Sequence, residues 1–265
     1  MIKRPIGIFD SGLGGLSVVS EFKKVFKNKR YIYFGDTARV PYGSKSVETI
    51  KRFALQDCRF LLSKDVAAII VACGTVSANA IEELQKNFAV PIVGVVEPTA
   101  NKAVEIAKNG NGRIAVLGTA ATIKSGAYEK AIKKLDDKID VFSVACPLFV
   151  PLVENGYIDK PATSMIAREY LEDLAKKNVD AVILGCTHYP ILSKVIGEAF
   201  GKSVLVNSGK EAADYAYALL EEKEVEDGEG EYYVSDEPHG FSETANVLLG
   251  EDISSCIRRV NIEEF

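Results

Sequence analysis

The run Val182-Ile183-Leu184-Gly185-Cys186-Thr187-His188-Tyr189-Pro190 is a short aliphatic stretch that stops on a glycine and a cysteine and delivers a histidine two residues later. β-Branched and aliphatic residues bounded by Gly and Pro describe a parallel strand covered on both faces, and in open α/β sheets ligands collect beyond the carboxyl ends of such strands. Cys186 therefore falls where chemistry is done in folds of this class. An earlier stretch, Ala67-Ala68-Ile69-Ile70-Val71-Ala72-Cys73-Gly74-Thr75, repeats the phrase, so two apolar strands each end in Cys followed by Thr.

Working outward, the chain opens with the strand Ile6-Gly7-Ile8-Phe9, the loop Asp10-Ser11-Gly12-Leu13-Gly14-Gly15, and a helix on which Leu16, Val19, Phe22 and Phe26 keep helical spacing. Gly12 and Gly14 form GxG, and Asp36 follows the second strand, Tyr31 to Phe34, at the distance of a ribose-binding acid. A dinucleotide reading is disfavoured, because Ser17 stands in place of the third glycine and Asp10 would repel a pyrophosphate. The alternative is that the loop amides and Ser11 meet a smaller anion. Pro41-Tyr42-Gly43-Ser44 is either a plain turn or an anion-binding nest made by successive amides. A helix over 47–63, the strand to Cys73, a helix through Ile81 and Leu84, and the strand Ile92 to Val96 complete a doubly wound parallel sheet.

The pattern begins again after Pro98. A helix leads to the strand Ile114 to Leu117, which parallels the first strand of the chain and ends at Gly118-Thr119, with Thr122 in the loop expected to face Asp10 and Ser11. Val141 to Val144, a short helix near Glu154, a helix over 161–177 and the strand to Cys186 follow. The spacing from Asp10 to Cys73 nearly matches that from Thr119 to Cys186, which reads as a weak internal repeat of two α/β halves. Beyond Val206 come a helix over 209–222, an acidic glycine-bearing stretch over 221–231 that reads as a solvated turn, and strand-like segments at 232–234 and 256–260. These last elements are too few for a domain and are expected to pack back on the first half. The expected architecture is two similar doubly wound domains, 1–97 plus 208–265 and 98–207, facing each other across an active-site cleft.

Composition sets limits on function. With 265 residues, 47% hydrophobic and 26% charged, the chain is that of an ordinary globular protein of one or two domains. A net charge of -5 argues against nucleic acid as a main partner. No run approaches the ~18 apolar residues of a membrane span, and the start has no signal-peptide core, so a cytoplasmic location is expected. Five separated cysteines with no CxxC pair fit reduced thiols. Two histidines, with His239 in a polar late loop, and no clustered ligand spacing argue against a metal site.

If the halves face each other with strand ends inward, Cys73 and Cys186 approach one cleft from opposite sides. Such a pair suits removing a proton from one face of a carbon and returning one to the other, with a base on one side and an acid on the other. Thiols fit the task because their pKa near ~8.5 is lowered at a helix N-terminus or beside a cation. Each cysteine precedes a predicted helix and has a polar companion: Asp10 on the first side, His188 on the second, with Glu154 placed to orient His188. For Cys58, Cys146 and Cys256 the ordinary reading, a small buried hydrophobe, stands. Cys186, His188 and Glu154 alone would also make a thiol hydrolase, and a silent binding module is a third reading.

Asp10-Ser11-Gly12, Pro41-Tyr42-Gly43, Cys73 with Thr75, Glu154, and Gly185-Cys186-Thr187-His188-Tyr189-Pro190 together resemble the glutamate racemases of the aspartate/glutamate racemase superfamily, in order from about residue 5 to the end. The resemblance implies a cofactor-independent two-base racemase that supplies D-glutamate for peptidoglycan, usually as a homodimer. It implies that Cys73 acts on D-glutamate and Cys186 on L-glutamate, with Asp10, Glu154 and His188 assisting proton transfer. It assigns Ser11, Tyr42 and Gly43, with Pro41, to the side-chain carboxylate, and Thr75, Thr119 and Thr187, with Thr122 and Gly74 nearby, to the amino-acid head group. The family usually carries Asn where this chain has Gly74, so a side-chain hydrogen bond to the head group is lost here or supplied otherwise. Aspartate racemase is the nearest rival within the superfamily.

Overall fold

A computed structural model describes residues 3–220, 225–236 and 241–265. Its strands are β1 (Ile6–Asp10), β2 (Tyr31–Gly35), β3 (Ala68–Val71), β4 (Ile92–Gly94), β5 (Arg113–Gly118), β6 (Asp140–Ala145), β7 (Ala181–Leu184), β8 (Val204–Asn207), β9 (Glu231–Val234) and β10 (Ile257–Arg259). They form two all-parallel sheets, ordered β10-β9-β2-β1-β3-β4 and β6-β5-β7-β8. The chain is thus built of two α/β units. All residues of β1, β2, β3 and β7 are buried, as strands covered by helices on both faces must be.

The four strands β2-β1-β3-β4 and the four strands β6-β5-β7-β8 follow one plan, which is the internal repeat seen in the spacing. In each, the chain leaves the first strand one way and the third strand the other, so a crevice opens between their carboxyl ends. That crevice holds Asp10 and Cys73 in one unit and Thr119 and Cys186 in the other. Four hydrophobic clusters flank the sheets. Ile8, Leu16, Phe22 and Ile70 lie on one face of the first sheet, and Phe9, Phe34, Phe60 and Val71 on the other. Leu117, Phe149, Leu171 and Leu184 lie on one face of the second sheet, and Val104, Val116, Ile132 and Ile183 on the other.

The late elements join the first sheet. β9 pairs with β2, Phe34 opposite Tyr233, and β10 pairs with β9. Helix Ser208–Leu219 buries Ala212 and Ala216 against the same core as Leu16 and Val18. Helix Val96–Lys108 packs Ala100, Ala103 and Val104 onto the second sheet. The acidic stretch is more than a solvated turn in its described part, because Glu226, Asp227 and Glu231 pair with Arg30, Lys29 and Arg258. Among the described residues no helix is long and apolar enough to cross a membrane.

Candidate active site

Both cysteines follow strands whose pairing runs on past the last strand residue. Ala72 donates to Phe9 O at 2.9 Å, and Gly185 donates to Leu117 O at 2.8 Å, so each thiol is anchored to the central strand of its own sheet. Cys73 then caps helix Gly74–Asn79, and a second helix, Ile81–Asn87, begins after a break at Ala80. The expectation of one helix through Ile81 and Leu84 is corrected to two short ones. Cys186 does not open a helix, contrary to expectation. In an α-helix residue 190 would donate to the Cys186 carbonyl, but Pro190 has no amide proton, so Tyr189 N takes that carbonyl at 3.1 Å and a 3-10 turn, Tyr189–Leu192, follows.

On the first side the Cys73 thiol donates to Ser11 Oγ at 3.4 Å. Asp10 is fully buried, with Oδ2 accepting from Gly12 N at 3.1 Å, and among the described residues its Oδ1 has no hydrogen-bond partner. Burial pushes the Asp10 carboxyl up, opposed by the positive charge of His188 and by the amides of Gly15 and Gly12. Burial, and then the charge of Asp10, push the Cys73 thiol up to about 12. On the second side Cys186 Sγ lies 3.8 Å from His188 Nδ1, and His188 Nε2 lies 3.1 Å from Glu154 Oε1. Burial pulls His188 down, but its hydrogen bonds to Cys186 and Glu154 outweigh this and hold the imidazole at about 10, so it carries its proton through neutral pH.

The two sides touch. A Cβ on Gly14 would overlap Thr187 Oγ1 and the His188 ring, and a Cβ on Gly74 would overlap the Gly185 carbonyl oxygen. These glycines are needed for close approach between the halves, which is a different use from the phosphate loop that GxG first suggests. The Ser17 hydroxyl lies 2.8 Å from both Gly14 O and Thr187 O, its one proton shared between these two acceptors, and so links the first glycine loop to the second cysteine loop. The ribose-acid role considered for Asp36 is also excluded, since that side chain is fully buried and ion-paired with Arg39 at 2.6 Å.

Thr75 Oγ1 lies 2.9 Å from Thr119 Oγ1, which lies 3.0 Å from Thr122 Oγ1, so three hydroxyls form a chain across the halves. Thr119 meets Thr75 and Gly43; the expected neighbours had been Asp10 and Ser11. Thr187 stands beside His188, its Oγ1 3.5 Å from Nδ1. Tyr42 is buried, with its hydroxyl turned away from the loop to Asp36, while Pro41 is exposed. Cys58 and Cys146 are buried hydrophobes, whereas Cys256 is exposed, which corrects the buried reading for that residue. Among the described residues no group of His, Cys, Asp and Glu could hold a metal ion, and His239 lies outside them. The sequence had not singled out Tyr33, whose phenol donates to Gly12 O at 2.6 Å and shapes the loop after Asp10.

Residues 12–216 match the Asp/Glu/Hydantoin racemase family. The glutamate racemase of Geobacter metallireducens is 45% identical over 98% of this chain and 97% of its own length. The chain belongs to the Asp/Glu/Hydantoin racemase family. Among solved structures, the glutamate racemase of Francisella tularensis in complex with D-glutamate superposes with a TM-score of 0.92, at 36% identity over 99% of both chains. The glutamate racemase of Thermus thermophilus, in complex with β-chloro-D-alanine, superposes at 0.87, with 41% identity over 99% of both. As a member of this racemase family the chain is an isomerase, and the paired thiols of its two half-repeats sit where the halves meet.

Proposed function

We propose that this racemase interconverts L- and D-glutamate by two-base proton transfer between thiols, without a cofactor. The observation that carries the reading is the meeting of two equivalent strand-end loops, each bearing a thiol with its own polar partners: Ser11 and Asp10 beside Cys73, His188 and Glu154 beside Cys186. In one direction the Cys73 thiolate takes the α-proton of D-glutamate, leaving a planar carbanion whose electron pair spreads into the α-carboxylate. The Cys186 thiol then gives its proton to the opposite face, forming L-glutamate and a Cys186 thiolate stabilised by the His188 imidazolium. That protonation state is the one that accepts L-glutamate, so the reverse reaction exchanges the roles. The free protein holds Cys73 as a thiol beside a buried carboxylate. The substrate ammonium, entering next to Asp10, would offset that negative charge and favour the thiolate.

In this reading the amides of Tyr42 and Gly43, with Ser11 and Pro41, hold the side-chain carboxylate, and Thr75, Thr119, Thr122 and Thr187 hold the head group. Gly74 offers only backbone. Residues 1–97 with 208–265 form one domain and 98–207 the other, a division supported by sheet membership. The same reading has the protein act in the cytoplasm as a homodimer, supplying D-glutamate for peptidoglycan.

The Cys186, His188 and Glu154 chain also has the connectivity of a thiol hydrolase, and Cys73→Ala separates the two readings. Loss of a general base should lower racemisation roughly 10²–10⁴-fold, whereas a hydrolase would keep its activity. The direct assay follows L-glutamate in deuterated water. Deuterium at the α-carbon together with D-glutamate is expected; absence of both would leave only a binding module, and a clear preference for aspartate would point to an aspartate racemase.

A further inference from the structure

Beneath residues 41–43 lies a buried charge cluster that the proton-transfer chemistry does not use. Arg39 donates from Nε to Asp36 Oδ2 at 2.6 Å, from Nη2 to Asp57 Oδ1 at 3.1 Å, and from Nη1 to Gln56 Oε1 at 2.6 Å, with its guanidinium 4.1 Å above the Phe53 ring. Asp36 and Asp57 are both fully buried. The Tyr42 hydroxyl donates to Asp36 Oδ2 and lies 3.2 Å from Asp57 Oδ2. Ser235, just past β9, closes the cluster by donating to Asp36 Oδ1 and accepting from Ala38 N, each at 2.8 Å. Burying two carboxylates with one guanidinium is costly in free energy, and packing alone does not call for it. The Tyr42 ring, 5.4 Å from that of Phe53, would pack as well without its hydroxyl. What the hydroxyl adds is a fixed link from the cluster to the backbone at 42–43. Gly43 in turn faces Thr119 so closely that a Cβ on it would lie 2.8 Å from the Thr119 Cβ.

We propose that Asp36, Arg39, Asp57 and Ser235 are positioning residues that grip the Tyr42 hydroxyl and thereby fix where the amides of Tyr42 and Gly43 meet the substrate's distal carboxylate. This rests on the glutamate racemase reading and adds a determinant of substrate length. The span from the strand-end thiols to these amides selects a dicarboxylic amino acid of one chain length, and the buried cluster keeps the span constant. None of the four touches the substrate.

The test is Tyr42→Phe, which keeps the ring and cuts only the link. Removing a hydrogen bond to a charged group should raise KM for both enantiomers of glutamate about tenfold. Because the Tyr42 and Gly43 amides hold the substrate alike in ground and transition states, kcat should stay within about threefold of wild type. The preference for glutamate over aspartate in kcat/KM should narrow. A purely structural role would lower the thermal midpoint and the active fraction, hence kcat, while leaving KM and the glutamate preference alone, and that outcome overturns the proposal. If Tyr42→Phe does not fold, Ser235→Ala reads the same cluster from its far end. A KM increase of about threefold supports the proposal and an unchanged KM overturns it. Calorimetric binding of D-glutamate to wild type and variant keeps the two readings distinguishable. Wild-type protein that binds glutamate without racemising it sinks the functional reading alone, since the weaker binding of the variant still reports the placement of the Tyr42 and Gly43 amides. Wild-type protein that does not bind glutamate overturns both.

Discussion

His188 is a buried side chain that keeps a proton because it is bonded on both ring nitrogens, to Cys186 and to Glu154. Its folded value of about 10 stands above the ~6.5 of an unfolded histidine. A raised folded value means that the stability it contributes is fully present below about pH 6.5 and is lost as pH rises through about 10. The difference in thermal midpoint between wild type and His188→Gln should therefore shrink steadily across that interval. A pH-independent difference would mean that the folded protein holds the imidazole neutral. At this scale the sequence was informative: Cys73 and Cys186 stood out because each closes an apolar strand in a repeated phrase, and Asp10 and His188 because each follows such a strand. Ser17 and Arg39 were not legible, since their importance comes from partners distant in sequence or from a buried cluster that spacing does not reveal. Asp36 was visible but misleading. Its spacing suggested a ribose, and only its own burial and its ion pair with Arg39 show that its charge is already matched.

At the scale of elements, the seam between the two cysteine loops depends on missing side chains. Gly74→Ala would place a methyl against the Gly185 carbonyl, a backbone atom that cannot swing aside. Overpacking of this kind costs about 1–3 kcal/mol, to be read as a lower denaturation midpoint together with a lower kcat/KM as the loops are pushed apart. An unchanged midpoint and rate would show that the loops separate freely. A side chain at position 74 and this loop contact exclude each other. The strands were readable from their apolar runs. The helix expected after Cys186 was not, because Pro190 acts through a hydrogen bond it cannot make, and the single helix expected after Cys73 breaks at Ala80 without Pro or Gly to signal it.

At the scale of the molecule, the first sheet is finished by the end of the chain. β9 and β10 extend it beyond β2, Tyr233 and Phe265 meet Phe60 edge to face with ring centroids 5.2 and 5.4 Å apart, and Ser235 reaches Asp36. A chain ending at residue 230 should lose its cooperative thermal transition and its near-UV circular dichroism, because Asp36 loses its Ser235 hydrogen bond and the edge of β2 is bared. Retention of both would show that the tail is dispensable. The two sheets also differ in when they can exist. The second is made from one uninterrupted stretch, β5 to β8, and can assemble as soon as that stretch leaves the ribosome. The first must wait for the last strand to be translated, with β1 to β4 already made. Synthesis itself thus imposes an order on the two halves, and a product terminated before β9 carries a thiol on each half while lacking the strands that complete the first sheet.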